Sequence, residues 1–346
     1  MLAGLVPGLL IVLVLAWLML SPSSSSSTSL TSSPATLVPT LAVGALLPAM
    51  ILARVFSPVR YYAKLVTFLV GSASASAFGV ASSLVMAVLG RREDIQWLVA
   101  RFLKYTTAPL LGVKFRVEGA DKLETTHPAV LVGNHQTMLD LLYLGAIFPP
   151  RTTIMAKREL QWVPILGQFM TLAKAIFVNR VKREDAIRVF DQVAKEMKRR
   201  ELSLFIFPEG TRSASATPSL LPFKKGAFHL AVQAGLPIVP IVCENYAHIY
   251  YSKAKRFNAG EIVVRVLDPI STEGVVSSHN DITALIERTR MAMLEAIEQL
   301  GRERRAQLGG PDGEREALLP PTPRASIGGV ETEGETASAR LPEGTQ

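Results

Sequence analysis

The chain has 346 residues, enough for one large domain or two, with a formal charge of +8 and 49% apolar residues. That apolar share is high for a soluble protein, and the excess of cations suits an anionic membrane surface, a phosphorylated substrate or nucleic acid. The single cysteine, Cys243, excludes an intrachain disulfide and a cysteine-based zinc site.

From the N-terminus, no charged side chain occurs over residues 1–53, nor over 65–90. A membrane-spanning helix needs about 20 mostly apolar residues. Residues 1–20 qualify, and the absence of a positive n-region favours a retained anchor over a cleaved signal peptide. Residues 35–53 also qualify, though Pro39 and Pro48 interrupt them. Residues 65–90 are long enough but contain SASASAFG, which predicts a tilt, a break or close pairing with a neighbour. Residues 21–33 form a Ser/Thr-rich linker. The charge pattern does not settle the orientation of these segments.

Globular composition begins near residue 93. The pattern over 94–111 predicts an amphipathic helix, either packed in the core or lying on the bilayer. Short β-rich runs follow at 114–117, 129–133, 153–156, 175–178, 203–207, 238–242 and 262–267. Helical patterns stand between and after them at 184–199, 225–234 and 281–300. Strands alternating with helices predict an α/β fold. Residues 301–346 are poor in apolar side chains, and 309–346 have the composition of a disordered tail. The expected organisation is a membrane-anchoring part over 1–92, a catalytic domain over 93–300 and a tail over 301–346.

Three segments carry chemistry. NHQTMLD, residues 134–140, follows the apolar run AVLVG and sets His135 and Asp140 five residues apart. On one helix that spacing is about 500° of rotation, which points the two side chains about 140° apart. They meet only if His135 lies in a strand-to-helix turn and Asp140 in the first turn of the helix. A carboxylate on one imidazole nitrogen then leaves the other to take a proton. FPEGTRS, residues 207–213, ends another apolar run. Its Gly210 permits a sharp turn, Thr211 offers a hydroxyl and Arg212 a planar donor fork suited to phosphate. A plain turn with a Glu209–Arg212 surface ion pair is the competing reading. Lys157 and Arg180 stand after two further strands. In α/β sheets, ligands gather at the carboxyl ends of strands, so a phosphate pocket beside a His–Asp base is the reading that joins these motifs.

These motifs, in this order and spacing, resemble the glycerolipid acyltransferases, and specifically the 1-acyl-sn-glycerol-3-phosphate (lysophosphatidic acid) acyltransferases. NHQTMLD matches that family's first block, KRELQWVPILGQF with AIFVNR the second, FPEGTRS the third and LPIVPIV the fourth. LLPFKKGAFHLAVQAG, residues 220–235, is similar to the eukaryotic members between the last two blocks. One departure is Ala175, preceded by Lys174, where many members carry glycine. The resemblance implies a mixed sheet flanked by helices, with N-terminal membrane helices. It also implies transfer of an acyl group from acyl-CoA to the sn-2 hydroxyl of lysophosphatidate, giving phosphatidate, in phospholipid biosynthesis.

By that resemblance His135 is the general base and Asp140 its orienting partner. Glu209, Gly210, Thr211 and Arg212 bind the glycerol phosphate, with Lys157 and Arg180 assisting. No permanently bound cofactor and no metal is implied; acyl-CoA is a co-substrate. Besides acyl-CoA and lysophosphatidate, the bilayer is the expected partner, and nucleic acid is not. The expected location is the endoplasmic reticulum membrane, with the catalytic domain facing the cytosol. The same chemistry on glycerol 3-phosphate or another lysophospholipid is the alternative. A non-enzymatic scaffold of the same fold would have lost the His, Asp, Glu or Arg positions, and all are present.

Overall fold

The computed structural model describes residues 57–178 and 183–307, without the side chains of 183–189. The segments expected to span at 1–20 and 35–53, the predicted phosphate ligand Arg180 and the tail expected at 309–346 lie outside the described residues.

The uncharged run 65–90 is taken up by one unbroken helix, α1 (Ser57–Val88). Its small residues do not break it; they let neighbours approach. Gly71 lies against Thr107 and Gly79 against the ring of Phe169, where any Cβ would collide. Past α1, the amide of Arg91 donates to Met86 O at 2.8 Å and that of Gly90 to Ala87 O at 3.3 Å. Gly90 takes φ +68°, the left-handed turn that closes a helix C-terminus.

The next helix, α2 (Ile95–Leu111), is a core helix: it buries Ile95, Val99, Leu103 and Leu111. Phe102 on α2 stacks on Phe78 of α1 with centroids 4.4 Å apart. Only part of its outer surface, Tyr105, Thr106, Pro109 and Leu110, is exposed.

Each of the seven predicted runs forms a strand of one sheet. These are β1 (Val113–Glu118), β2 (Val130–Gly133), β3 (Thr152–Lys157), β4 (Ile176–Val178), β5 (Ser203–Ile206), β6 (Ile238–Cys243) and, after a small hairpin of β7 (Tyr250–Tyr251) and β8 (Arg256–Phe257), β9 (Gly260–Val266). Their order is β1-β9-β6-β2-β5-β3-β4. All neighbours are parallel except β6 and β9, so the sheet is mixed and β1 and β9 run against the other five. β2, β5 and β6 are buried along their whole length, as strands covered on both faces must be.

The remaining helices are α3 (Asp121–Thr125), α4 (Asp140–Ile147), α5 (Leu166–Leu172), α6 (Arg183–Arg200), α7 (Gly226–Ala234) and α8 (His279–Gln307). Side chains alternate across the sheet. Leu131, Phe205 and Ile241 join the core under α1, α2 and α4. Val130, Val132, Leu204, Ile206 and Val242 join the other core, with Met197 of α6, Phe228 of α7 and Ile297 of α8.

The helical part of the chain extends seven residues past the boundary expected at 300. Composition placed the boundary at the loss of apolar residues, but the last turns of α8 are held by charge. Arg304 donates to the buried Glu244 carboxylate at 2.5 and 3.1 Å and to Glu261 O at 2.9 Å.

Candidate active site

β2 is the central strand, and its carboxyl end builds the site. Gly133 admits no side chain, because a Cβ would meet Phe205 at 2.6 Å and the Tyr143 hydroxyl at 2.8 Å. Asn134 then replaces a peptide group. Its Nδ2 donates to Cys243 O and its Oδ1 accepts from Cys243 N, both at 2.8 Å, so the β2–β6 ladder continues one step beyond Gly133. Gln136 Nε2 adds bonds to Cys243 O at 3.1 Å and Glu244 O at 2.8 Å. Tyr143 donates from its hydroxyl to Asn134 O at 3.1 Å. The turn carrying His135 is therefore fixed before the imidazole makes any contact of its own.

Asp140 opens α4, as the spacing required. Its Oδ2 lies 2.7 Å from His135 Nδ1 and accepts the amides of Gln136 at 2.6 Å and Thr137 at 3.0 Å. Its Oδ1 accepts the Tyr246 hydroxyl at 2.5 Å. A carboxylate with three other donors acts as an acceptor toward the ring, so Nδ1 carries the proton and Nε2 is the basic nitrogen. Asp140 is 1% exposed and the His135 side chain 19%. The carboxylate is thus out of water while the imidazole stays partly exposed. Phe207 stacks on the imidazole, with centroids 3.9 Å apart and planes 18° apart.

The FPEGTRS turn docks on the same loop. Ser213 N donates to His135 O at 2.9 Å and Ala214 N to Gln136 O at 3.1 Å. Gly210 takes φ +71°, and the stem of Lys224 covers the side a Cβ would need. Thr211 and Arg212 are exposed beyond it.

Glu209 does not form the surface ion pair with Arg212 that the plain-turn reading required. It is buried, and its two oxygens accept the amides of His135 at 2.8 Å and Leu221 at 3.0 Å. Burial raises its pKa, and the two amides pull in the opposite direction. Its place is to tie the histidine loop to the phosphate-type turn.

Lys157 lies at the same end of the sheet but at the end of β3, two strands from β2, exposed and 3.2 Å from Glu159. The structure thus brings together His135, Asp140, Glu209 and Gly210, with Thr211 and Arg212 at the rim. Burial pushes the Cys243 thiol well up, which suits packing and removes it as a nucleophile.

Three contributors were not singled out in the sequence: Tyr246, which stands outside every motif, and Gln136 and the stacking Phe207, which stand inside two of them. Tyr246 is 1% exposed, lies 106 residues from Asp140 and is bonded through its hydroxyl to Thr137 Oγ1 at 2.8 Å.

The Acyltransferase family model matches residues 114–244, a span that begins in β1 and ends at Glu244. The chain is 37% identical to the 1-acyl-sn-glycerol-3-phosphate acyltransferase of Saccharomyces cerevisiae, over 70% of this chain and 78% of that protein. The human alpha form is 41% identical, over 66% and 78%. The chain belongs to the 1-acyl-sn-glycerol-3-phosphate acyltransferase family. An uncharacterised acyltransferase of Schizosaccharomyces pombe is 42% identical, over 70% and 84%. The crystal structure of the Thermotoga maritima 1-acyl-sn-glycerophosphate (LPA) acyltransferase superposes with a TM-score of 0.58. It covers 71% of this chain and 98% of that one at 21% identity, which establishes the fold of this acyltransferase as a shared one.

Proposed function

We propose that this acyltransferase moves an acyl group from acyl-CoA to the sn-2 hydroxyl of lysophosphatidate, making phosphatidate and free CoA. The observation that carries the reading is the His135–Asp140 pair, with the imidazole partly exposed and its loop bonded to the end of the FPEGTRS turn. Nε2 takes the hydroxyl proton as the oxygen attacks the thioester carbonyl. The tetrahedral adduct collapses, the C–S bond breaks, and the leaving thiolate takes the proton back from the imidazolium. Asp140 holds Nδ1–H throughout and stabilises the imidazolium. Such general-base assistance is worth about 10²–10⁴-fold. Arg212, Thr211 and the Gly210 turn receive the acceptor's phosphate, with Lys157 as an outlying cation and Arg180 assisting. The names of the relatives favour lysophosphatidate over glycerol 3-phosphate or another lysolipid as the acceptor.

The lipid substrate requires a membrane, and α1 supplies one contact with it. Its outward face is apolar from Tyr62 through Val66, Leu69, Val70, Leu84 and Val85 to Val88. Both ends of α1 are pinned to the same α/β unit. Near its start, Lys64 Nζ donates to Leu111 O at 2.5 Å and Tyr61 stacks on Tyr250. Past its end, Arg91 pairs with Asp94, whose other oxygen accepts Arg151 N at 3.0 Å. α1 is also long and apolar enough to cross a bilayer, but a helix held near both ends by one α/β unit favours a place along one leaflet over a crossing. In this reading residues 1–92 anchor, 93–300 carry the chemistry, and the active face opens to the cytosolic leaflet of the endoplasmic reticulum, where acyl-CoA is available.

The test is acyl transfer from radiolabelled oleoyl-CoA by membranes bearing the wild type or His135→Ala, with lysophosphatidate, glycerol 3-phosphate and lysophosphatidylcholine as acceptors. Phosphatidate formed from lysophosphatidate and lost in the variant is the expected result. Undiminished activity in the variant removes His135 from the mechanism, and activity on another acceptor alone replaces the substrate. Protease protection of tagged microsomes checks the sidedness; a lumenal catalytic domain overturns it.

A further inference from the structure

At the far end of α1 from the active face, a cavity of about 330 Å³ is lined by Ala87, Gly90, Arg92, Glu93, Lys174, Arg199 and Arg200. Three separate elements converge on it: the turn after α1, the turn between α5 and β4, and the end of α6. Four of the lining side chains are cations and one is an anion. Arg199 is bidentate on Glu196 at 2.8 and 3.1 Å, and Arg200 reaches Glu196 at 2.7 Å and Glu93 at 3.3 Å. Arg92 and Lys174 have no carboxylate within ion-pair distance among the described residues. Among the described residues the cavity therefore keeps a net positive charge after its internal pairs are formed.

Two further observations distinguish it from a solvated basic rim. The exposed apolar face of α1 runs straight into it: Val85, Val88 and Leu89 are 58, 88 and 62% exposed, and Arg91 and Arg92 follow at once. An abrupt change from apolar to cationic surface along one helix is the pattern of a hydrocarbon–headgroup boundary. Lys174, moreover, sits at φ +55°, a left-handed conformation that glycine adopts freely and lysine does not. Among the described residues the lysine side chain makes no hydrogen bond or ion pair, though its charge acts on the nearby Glu196, so the strained residue presents its ammonium to the cavity.

We propose that this cavity seats the headgroup of an anionic phospholipid of the leaflet on which α1 lies. The acyl chains of that lipid run along Val85, Val88 and Leu89, and its phosphate is held by Arg92 and Lys174 with Arg199 and Arg200 behind them. The site is separate from the acceptor site, so an anionic lipid that is neither substrate nor product can occupy it and fix the tilt of the active face on the membrane. This rests on the reading of α1 as an in-plane membrane helix.

The experiment uses the full chain in neutral dodecyl maltoside micelles doped with phosphatidylglycerol or phosphatidylcholine, read as the melting temperature against lipid mole fraction. Phosphatidylglycerol is expected to give a saturable rise and phosphatidylcholine none. Lys174→Gly and Arg92→Gln each raise the mole fraction needed about fivefold, and the double variant about 25-fold, from the worth of one cation near an anionic surface. Lys174→Gly relieves the left-handed strain, so its melting temperature without lipid is expected to equal or exceed that of the wild type. A lost lipid response in that variant therefore cannot be misfolding. Arg212→Ala is expected to keep the response.

The proposal is overturned if phosphatidylglycerol gives no rise in the wild type, or if the double variant responds as the wild type does. It is equally overturned if Arg212→Ala abolishes the response, or if inorganic phosphate alone reproduces it. Phosphatidate synthesis in the same micelles should survive in the double variant. A wild type that responds to phosphatidylglycerol but makes no phosphatidate would overturn the acyl-transfer reading and leave this site standing.

Discussion

Tyr246→Phe tests whether the base is set by the whole acceptor shell of Asp140 or by the His–Asp contact alone. The phenol is the donor to Asp140 Oδ1, while the other three bonds fall on Oδ2. Burial of Tyr246 and the neighbouring Asp140 charge push its pKa well up, so the hydroxyl stays protonated and donating. Removing it leaves one oxygen of a buried carboxylate without a donor. A hydrogen bond to a charged group contributes about 1.5–3 kcal/mol. The melting temperature should then fall by about 4–8 °C for a loss near 2 kcal/mol in a unit of this size. If the carboxylate turns to recover a donor, it leaves Nδ1, and kcat should fall about 10–100-fold with KM for both substrates unchanged, within the total that general-base assistance supplies. The assay is steady-state acyl transfer from acyl-CoA to lysophosphatidate at equal folded enzyme. In an Asp140→Asn background the same substitution should cost nothing further, because its effect passes through Asp140. Unchanged kcat, a loss confined to KM, or full additivity with Asp140→Asn would refute the reasoning.

Other outcomes follow from the same contacts. Glu209→Gln sets an amide nitrogen against the amide of either His135 or Leu221, and should cost about 1–2 kcal/mol in denaturant titration together with a fall in kcat. The raised pKa of Glu209 means that the folded state holds its proton to higher pH. Wild-type stability therefore declines as pH rises from 4.5 through the raised value, and the neutral glutamine should remove that decline. Arg304→Ala leaves the Glu244 carboxylate buried without its cation and should lower stability by about 3 kcal/mol; truncation after Leu300 should do the same, both read by thermal melts. His248 is buried, with its pKa lowered to about 4 chiefly by desolvation and its Nδ1 without a hydrogen-bond partner among the described residues. The unfolded chain binds the proton first, so stability is intact above about pH 6.5 and falls toward pH 4, by at most about 2 kcal/mol at pH 5. His248→Gln should flatten that fall, and a melting curve equally steep in the variant would show that His248 is not its source.

Some of this molecule was legible from local pattern, and the boundary of legibility is physical. β2, β5 and β6 are buried on both faces, which forces continuous apolar runs that stand out in a sequence. His135 and Asp140 share one short segment, so their geometry followed from helical periodicity and the need for a turn. Tyr246 gave no such sign, because what brings it to Asp140 is the β2–β6 pairing across more than a hundred residues. Arg304 was hidden for the same reason: a charged residue near a polar tail reads as solvent-facing until Glu244 is seen buried beneath it. Lys174 is the opposite case. The sequence showed a lysine beside the apolar run, but only the backbone shows that it occupies a glycine-like conformation.

The role of Glu209 changes how the two motifs relate. Had its carboxylate faced the substrate, the histidine loop and the phosphate-type turn would be independent ligands of one pocket. Instead a single buried carboxylate bonds the amide of the base itself and the amide of Leu221, beyond the turn. The amides of Ser213 and Ala214 return to the carbonyls of His135 and Gln136. Any displacement of the turn by a bound phosphate is therefore transmitted to the backbone of His135. Under the proposed function, a phosphate seated correctly at Arg212 and a base at the right height above the acceptor hydroxyl are one geometric condition. An acceptor that lacks the phosphate should then lose kcat as well as affinity, because it leaves the base unset. Comparing lysophosphatidate with its dephosphorylated monoacylglycerol under saturation decides it: a change confined to KM would mean that the two motifs act separately after all.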